Sequence, residues 1–278
     1  MIEQAASMHS ASFFGVPLHG SVFDPLRASS VDQISMLHEN FRMNGVLTAV
    51  PATLLYSTRY RCATAAQEGR RLGDVSGQTA LIQTLLDPAY PLTVAILHGL
   101  RPGKDNAFEA KLVAQLVIGL KETLLEDSGE LYKPQAFVDE GAFVVAPHRS
   151  HIRRIRKALQ AQRWDVLPRV DTVDKMQGQE VDVAIVSYGV SDAEIAAREA
   201  SFIYDCSRLN VVITRARNKC ILLMPAELLN ISRELLQDPQ VEAGITFMRG
   251  VVGLAERQQV KFELEGGVSI EMLRRKSM

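Results

Sequence analysis

The chain has 278 residues, 47% of them hydrophobic and 23% charged, a soluble-protein composition with an ample core for one large domain or two small ones. Its net charge of −1 excludes nucleic-acid binding through bulk charge alone, though not through a local basic groove. In chain order, residues 57–90 are polar and irregular, with Gly69, Gly73, Gly77 and Pro88, and read as an insertion or connecting arm. Leu92 to Leu97 is an apolar run of strand length. Phe108, Leu112, Val113, Leu116, Val117 and Leu120 then recur at helical spacing, which predicts a helix over about 106–125, ended by Asp127-Ser128-Gly129. Ala142 to Ala146 is a second strand, stopped by Pro147. Ile152, Ile155 and Leu159 mark the buried face of a helix over about 150–161, with Ser150 as its N-cap. Val181 to Ser187 is a third strand, Leu209 to Ala216 has helical spacing, and Cys220 to Met224 is a fourth strand before Pro225. Residues 226–278 read as an appendix, a helix followed by an edge strand at Val260 to Leu264.

Strands that alternate with helices predict an α/β fold, a mostly parallel sheet with helices on both faces. Ligands in such sheets bind at the C-terminal ends of strands, and both chemistry-bearing segments below are expected near such ends. Three scattered cysteines, Cys62, Cys206 and Cys220, form neither a disulfide framework nor a zinc site, and no metal ligands are assigned. Met1 to Ala11 has no signal-peptide pattern, and no apolar run approaches the ~20 residues of a membrane span, so a cytoplasmic chain without a membrane partner is expected.

Three segments carry chemistry. In Arg208-Leu209-Asn210-Val211-Val212-Ile213-Thr214-Arg215-Ala216-Arg217, Arg215 and Arg217 offer planar, permanently charged forks that match phosphate oxygens. In Val173-Asp174-Lys175-Met176-Gln177-Gly178-Gln179-Glu180, a glycine between polar residues admits close backbone approach, and the carboxylate of Glu180 suits ribose hydroxyls. In His38-Glu39-Asn40-Phe41-Arg42-Met43-Asn44, an aromatic ring for a base adjoins a guanidinium for a phosphate. Each alone is more simply read as core packing, a turn or a solvated surface. The basic run His148 to Lys157 reads either as the solvated face of an amphipathic helix or as a phosphate-tracking patch.

Together, taken in chain order (38–44, 173–180, 208–217), the segments resemble motifs IV, V and VI of superfamily 1 helicases, in the 1B branch that holds the nonsense-mediated-decay RNA helicase and the Okazaki-fragment nuclease-helicase. Glu39-Asn40-Phe41-Arg42-Met43 is similar to Gln-Tyr-Arg-Met, and the 173–180 segment to Val-Asp-x-Phe-Gln-Gly-x-Glu. The 208–217 segment matches Arg-Leu-Asn-Val-Ala-Leu-Thr-Arg-Ala-Arg nearly residue for residue. Asn106 to Ala110 resembles the family's Asn-x-x-Glu-Ala helix start, and Val144 to Ser150 its strand-Pro-Tyr segment, with His148 where an aromatic is usual. The resemblance covers residues 18–225 and implies a RecA-like domain, the second of two in the motor. It implies that Phe41 stacks on adenine and Arg42 reaches the γ-phosphate. Gln177 and Gly178 would lie by the phosphate, Glu180 would hold the ribose, and Arg217 would assist at the nucleotide. Arg215 would be the arginine finger, and Pro147, His148, Arg149, Thr172 and Asp174 would line a track for single-stranded DNA or RNA. Translocation polarity of 5′→3′ follows from the resemblance alone.

No phosphate-cradling Gly-x-x-x-x-Gly-Lys-Ser/Thr loop occurs in the 278 residues. Gly99-Leu100-Arg101-Pro102-Gly103-Lys104-Asp105 is one residue short between its glycines and ends on Asp; Val138-Asp139-Glu140 and Gly73-Asp74 with Gln78 are out of order, so all three are assigned to loops. The expectation is a P-loop NTPase-type fold without its own P-loop. Residues 1–30 would be the tail of a first RecA-like domain, on the strength of Gly20-Ser21-Val22-Phe23; residues 31–225 would form the second domain and 226–278 the appendix. ATP and Mg2+ would bind only when a first RecA-like domain is supplied in cis or trans, and the chain alone would be inactive as an ATPase. The alternative is a non-enzymatic helicase remnant that binds nucleic acid or protein.

Overall fold

The computed structural model describes residues 38–56, 59–68, 72–162, 164–176 and 178–276, together with the backbone of 12–13 and 16–17. The chain divides into two units, Met1–His38 and Glu39–Met278. In the first, Ser12–Phe13 pairs antiparallel with Val16–Pro17. The 1–30 segment assigned to a preceding domain otherwise lies outside the described residues, as does Gln177.

The second unit begins with Glu39–Asn40, which pairs in parallel with Arg61–Cys62. Between them runs helix α1, Gly45–Leu54, capped by Asn44, whose side chain accepts the Leu47 N–H at 3.0 Å. Helix α2, Ala80–Leu86, follows a Thr79 cap. Strand β1, Leu92–His98, leads to helix α3, Ala107–Thr123, where Asn106 accepts the Glu109 N–H at 3.0 Å. Then come β2, Ala142–Val145, helix α4, Arg149–Gln160, β3, Arg169–Asp171, and β4, Val181–Ser187. Helix α5, Cys206–Arg215, passes without a loop into β5, Ala216–Pro225. Helix α6, Pro239–Ala255, and strands β6, Gln258–Glu263, and β7, Ser269–Arg275, complete the fold.

These strands form one seven-stranded sheet in the order β6-β7-β1-β5-β4-β2-β3. Strands β1, β5, β4, β2 and β3 are parallel, and β7 joins β1 antiparallel. Side chains alternate between two apolar layers. Val94, Ile96, Leu222 and Met224 enter one, with α1, α5 and α6; Ala95, Leu97, Ile221 and Leu223 enter the other, with α3 and α4. This is the RecA-like α/β architecture expected from the alternation of elements.

Several local expectations need correction. His148, not Ser150, occupies the cap position of α4, and it makes no capping hydrogen bond. Helix α5 starts earlier than its apolar spacing suggested, because Asp205 accepts the N–H groups of Ser207 and Arg208. Strand β5 starts at Ala216, not Cys220: its polar first half is buried, with Lys219 donating to the carbonyls of Asp87 and Tyr90. The segment 226–278, set apart from sequence, supplies two strands of the central sheet, and β6 is its edge. Within the 57–90 arm, α2 packs on α3 through Ile82 and Leu86, which touch Gly119. No helix among the described residues is long and apolar enough to cross a membrane.

The packing of α6 gives a stability prediction whose sign opposes propensity. Gly→Ala in an exposed helix interior gains about 1 kcal/mol. At Gly253 an added Cβ meets nothing within 4 Å, so Gly253→Ala should stabilise the fold by up to about that amount. At Gly244 the Cβ would fall on the backbone carbonyl of Tyr204, which cannot yield as a side-chain tip can, so Gly244→Ala should destabilise it by ~1–3 kcal/mol. Urea titration of the two variants checks this; equal shifts would refute the close approach of α6 to Tyr204.

Candidate functional site

Strand register assembles the first group. Val181 pairs with Ala216 at the N-terminal edge of the sheet, so Glu180 and Arg215 precede adjacent strand starts. The loop before α1 is fastened to the same edge. Asn44 N–H donates to the Arg217 carbonyl at 3.2 Å, and Asn44 Nδ2 to the Asn218 carbonyl at 2.7 Å. Asn40 folds the loop by accepting the N–H groups of Arg42 and Met43. Arg42 is thereby brought over the junction of α5 and β5. It donates to Glu180 Oε1 at 2.5 Å and to the Thr214 carbonyl at 2.8 Å. The adjoining Phe41 ring is 73% exposed.

The charges here interact. The hydrogen bond from Arg42 holds the Glu180 carboxyl below the ordinary carboxylate range, against partial burial, with Arg217 and Arg215 adding to the effect. Arg215 is shifted downward by burial and by Arg42, while Glu180 opposes the shift. Its Nε is buried without a hydrogen bond, and its side chain makes no ion pair among the described residues. Arg217 is engaged differently. Its Nε meets Asp182 Oδ1 at 2.8 Å, and its Nη2 lies 3.6 Å from Glu140 Oε2; Asp182 also accepts the Tyr132 hydroxyl at 2.7 Å. Gly178 has φ +80°, the left-handed region that glycine suits, and nothing crowds its position. The structure therefore brings Phe41, Arg42, Glu180 and Arg215 to one edge and ties Arg217 into a neighbouring ion-pair cluster. The edge is the N-terminal one, which corrects the expectation from open α/β sheets: residues just before β4 and β5 carry the groups, not residues after them.

The second group occupies the opposite edge. Pro147 follows β2 and Thr172 follows β3, and both line a crevice with Phe202, Asp205 and Arg208. Arg208 lies over the Phe202 ring at 4.3 Å, with Asp205 at 3.3 Å and Asp174 at 3.8 Å. His148 Nε2 is 3.1 Å from Glu199 Oε2, and Arg149 is exposed. Phe202 and Asp205 were missed in the sequence because they belong to no motif; the Asp-x-x helix cap was the available signal.

Behind this edge lies a fully buried polar chain that sequence reading also missed. Asn106 N–H donates to His151 Nδ1 at 3.3 Å, so the ring proton sits on Nε2 and is directed at Ser187 Oγ, 2.8 Å away. Ser187 Oγ donates to Glu109 Oε1 at 2.8 Å, and Gly189 N–H donates to the same carboxyl at 3.0 and 3.1 Å. Gly189 has φ +69°, and a Cβ there would strike the His151 ring. The chain joins the start of α3, the first turn of α4 and the end of β4.

The family described as an AAA domain matches residues 18–227. The DNA replication ATP-dependent helicase/nuclease JHS1 of Arabidopsis thaliana is 23% identical over 208 residues, covering 73% of this chain and 15% of that protein. The DNA replication ATP-dependent helicase/nuclease DNA2 of Xenopus laevis is 26% identical over 212 residues, covering 69% and 19%. An uncharacterized ATP-dependent helicase of Methanocaldococcus jannaschii, MJ0104, is 33% identical over 80 residues, covering 29% and 11%. The chain thus spans less than a fifth of the length of each of these relatives.

The buried chain has a pH signature. Burial pushes His151 down from 6.5 to about 4 and Glu109 up to about 8. For His151 the folded form binds fewer protons than the unfolded form between these values, so its contribution is present above pH 6.5 and lost as pH falls toward 4. Glu109 acts with the opposite sign over its own window, so the comparison must keep it. The stability gap between wild type and His151→Gln should narrow by roughly 2–3 kcal/mol from pH 7 to pH 4. Urea titrations at the two pH values measure it, and a constant gap would show that the imidazole is not held neutral.

Proposed function

The chain belongs to the AAA-domain family, as a C-terminal region of superfamily 1 helicases, and on that premise we propose that it is the second RecA-like domain of an ATP-driven motor on single-stranded nucleic acid. Residues 31–225 would be its core, with 226–278 completing the sheet. The observation that carries the reading is the convergence of Arg42, Glu180 and Arg215 on one sheet edge. A guanidinium with a buried, unbonded Nε is under-satisfied among the described residues. A triphosphate oxygen would satisfy it. The exposed Phe41 ring offers a face for a base, Glu180 an acceptor for ribose hydroxyls, and Arg42 a second fork for phosphate. Bound ATP supplies the phosphoryl group; the chain's part is to orient it and to set positive charge where negative charge develops.

No cluster of three His, Cys, Asp or Glu side chains suited to a metal occurs among the described residues. By the family resemblance, Mg2+ is assigned to a first RecA-like domain, in cis or trans, which would also hold the β- and γ-phosphates. On the opposite edge, Pro147, His148, Arg149, Thr172 and Asp174 are the proposed contacts to DNA or RNA. Two sites on opposite edges of one rigid sheet suit a motor in which closing on nucleotide shifts the grip on a strand. The rival reading, a non-enzymatic remnant, draws on the Arg42–Glu180 bridge, which occupies the two groups a nucleotide would need.

One experiment separates them. The purified chain with single-stranded DNA or RNA should show negligible ATP turnover. Adding a first RecA-like domain with an intact phosphate loop in trans should produce turnover, and Arg215→Ala should lower that rate at least about 10³-fold. Substantial turnover by the chain alone would overturn the half-site reading. No turnover on complementation would favour the remnant.

A further inference from the structure

The loop Gly99–Asp105 follows β1 and so lies on the edge proposed for the nucleic acid. Ser191, just beyond β4, holds it there: its Oγ donates to the Arg101 carbonyl at 2.6 Å and its N–H to the Gly103 carbonyl at 2.9 Å. Asp105 reaches Arg154 of α4 at 2.5 Å. An open cleft of about 510 Å³ separates loop and helix, lined by Arg101, Asp105, Asn106 and Arg154.

The charge balance of this surface is unlike that of the whole chain. Across 99–105 and 149–160 the one acidic residue is Asp105, against a chain whose net charge is −1. Arg154 answers Asp105, and Arg156 is turned to the Val170 carbonyl and Asp171. Arg101, Lys104, Arg149 and Arg153 are exposed and make no ion pair among the described residues. A lone basic helix face is commonly just solvated. Here a separate loop is fastened so that Lys104 adds its charge beside the cap of α4: burial lowers the proton affinity of His148, Glu199 opposes that shift, and Lys104 adds to it. Fixing like charges together costs free energy that a polyanion relieves.

We propose that Arg101 and Lys104 form a second row of phosphate contacts, so that a strand entering at Thr172 and Pro147 continues past Arg149 and over the Gly99–Asp105 loop. This rests on the nucleic-acid reading above and extends it. From β3 to β1 is four strand spacings, roughly 19 Å, so the track crosses nearly the whole parallel sheet. At the β3 end, Arg208 lies between Asp174 and Asp205, and Glu199 lies 3.1 Å from His148, so acidic groups face the basic ones there. The uncompensated positive charge lies toward β1.

Anisotropy titration of the full chain with labelled oligothymidylate and oligouridylate, over a range of NaCl, tests this. Arg101→Gln/Lys104→Gln should weaken binding roughly tenfold at low salt and reduce the slope of log K against log[salt] by about 1.4, near 0.7 per lost contact. Each single variant should give about half that slope change. A charge-matched control on exposed residues away from this edge, Lys133→Gln/Arg257→Gln, should stay within about twofold. If wild type binds and the loop variant keeps its affinity and slope, or the control loses as much, the second row does not exist. If wild type binds neither oligonucleotide at low salt, the nucleic-acid reading itself fails, and the extension with it.

Discussion

The pairing of Val181 with Ala216 is the constraint on which the candidate site depends. Glu180 and Arg215 are 35 positions apart in the chain, and nothing local holds them together. What does is that each is the last residue before a buried parallel strand, and that those two strands are neighbours. The direct passage of α5 into β5 sharpens this, because no loop intervenes to let Arg215 wander. A slip of register by one residue would turn Ala216 and its followers to the opposite layer, exposing apolar side chains now in the core. The core packing and the site geometry are therefore one commitment.

Opposite edges of the sheet carry the two proposed sites, and each edge is stiffened in its own way. At the N-terminal edge the fastening is by Asn44 to the backbone of β5 and by Arg217 to Asp182, which is mostly apart from the groups proposed to meet nucleotide. At the C-terminal edge it is the buried run from Asn106 through His151 and Ser187 to Glu109. Polar groups so deep must all be matched, since an unmatched one costs about 1–3 kcal/mol. Matching them fixes three element ends relative to one another. That is a reason for the Asn-x-x-Glu pattern which the bare sequence does not reveal: Asn106 caps α3, and Glu109, one turn on, receives the end of β4.

The strongly apolar strands and helix α3 were legible, because burial on both faces and helical spacing leave unmistakable patterns. The motif segments were legible as residue types. What was hidden had a physical cause in each case. Helix α1 contains Pro51, which argues locally against a helix, and is held by packing of Val46, Leu47 and Val50. Strand β3 has only three residues, too short for alternation to register. The first half of β5 is polar because Lys219 is buried and satisfied by carbonyls, which no spacing rule anticipates. The C-terminal strands looked detached because strand pairing to β1 is a contact across some 170 residues of chain. The edge that carries the groups proposed for a nucleotide differs from the expected one because these residues precede their strands, whereas the rule about open α/β sheets concerns residues that follow them.

The bridge between Arg42 and Glu180 bears on how such a wall would work. Both side chains are partly exposed, at 26% and 44%, so water and salt screen the pair, and bridges of this kind contribute about 0–1 kcal/mol. Its role as a stabiliser is small. Its role as a placeholder is larger, because it keeps a carboxylate ionised and a guanidinium oriented beside Arg215, whose own charge otherwise lacks a counterion among the described residues. A phosphate arriving at this edge would draw Arg42 toward itself and leave Glu180 free to accept hydroxyl hydrogen bonds. On the proposed reading, a phosphate would exchange one screened bridge for charge-assisted contacts to two guanidiniums, and a ribose would occupy the carboxylate that the exchange sets free.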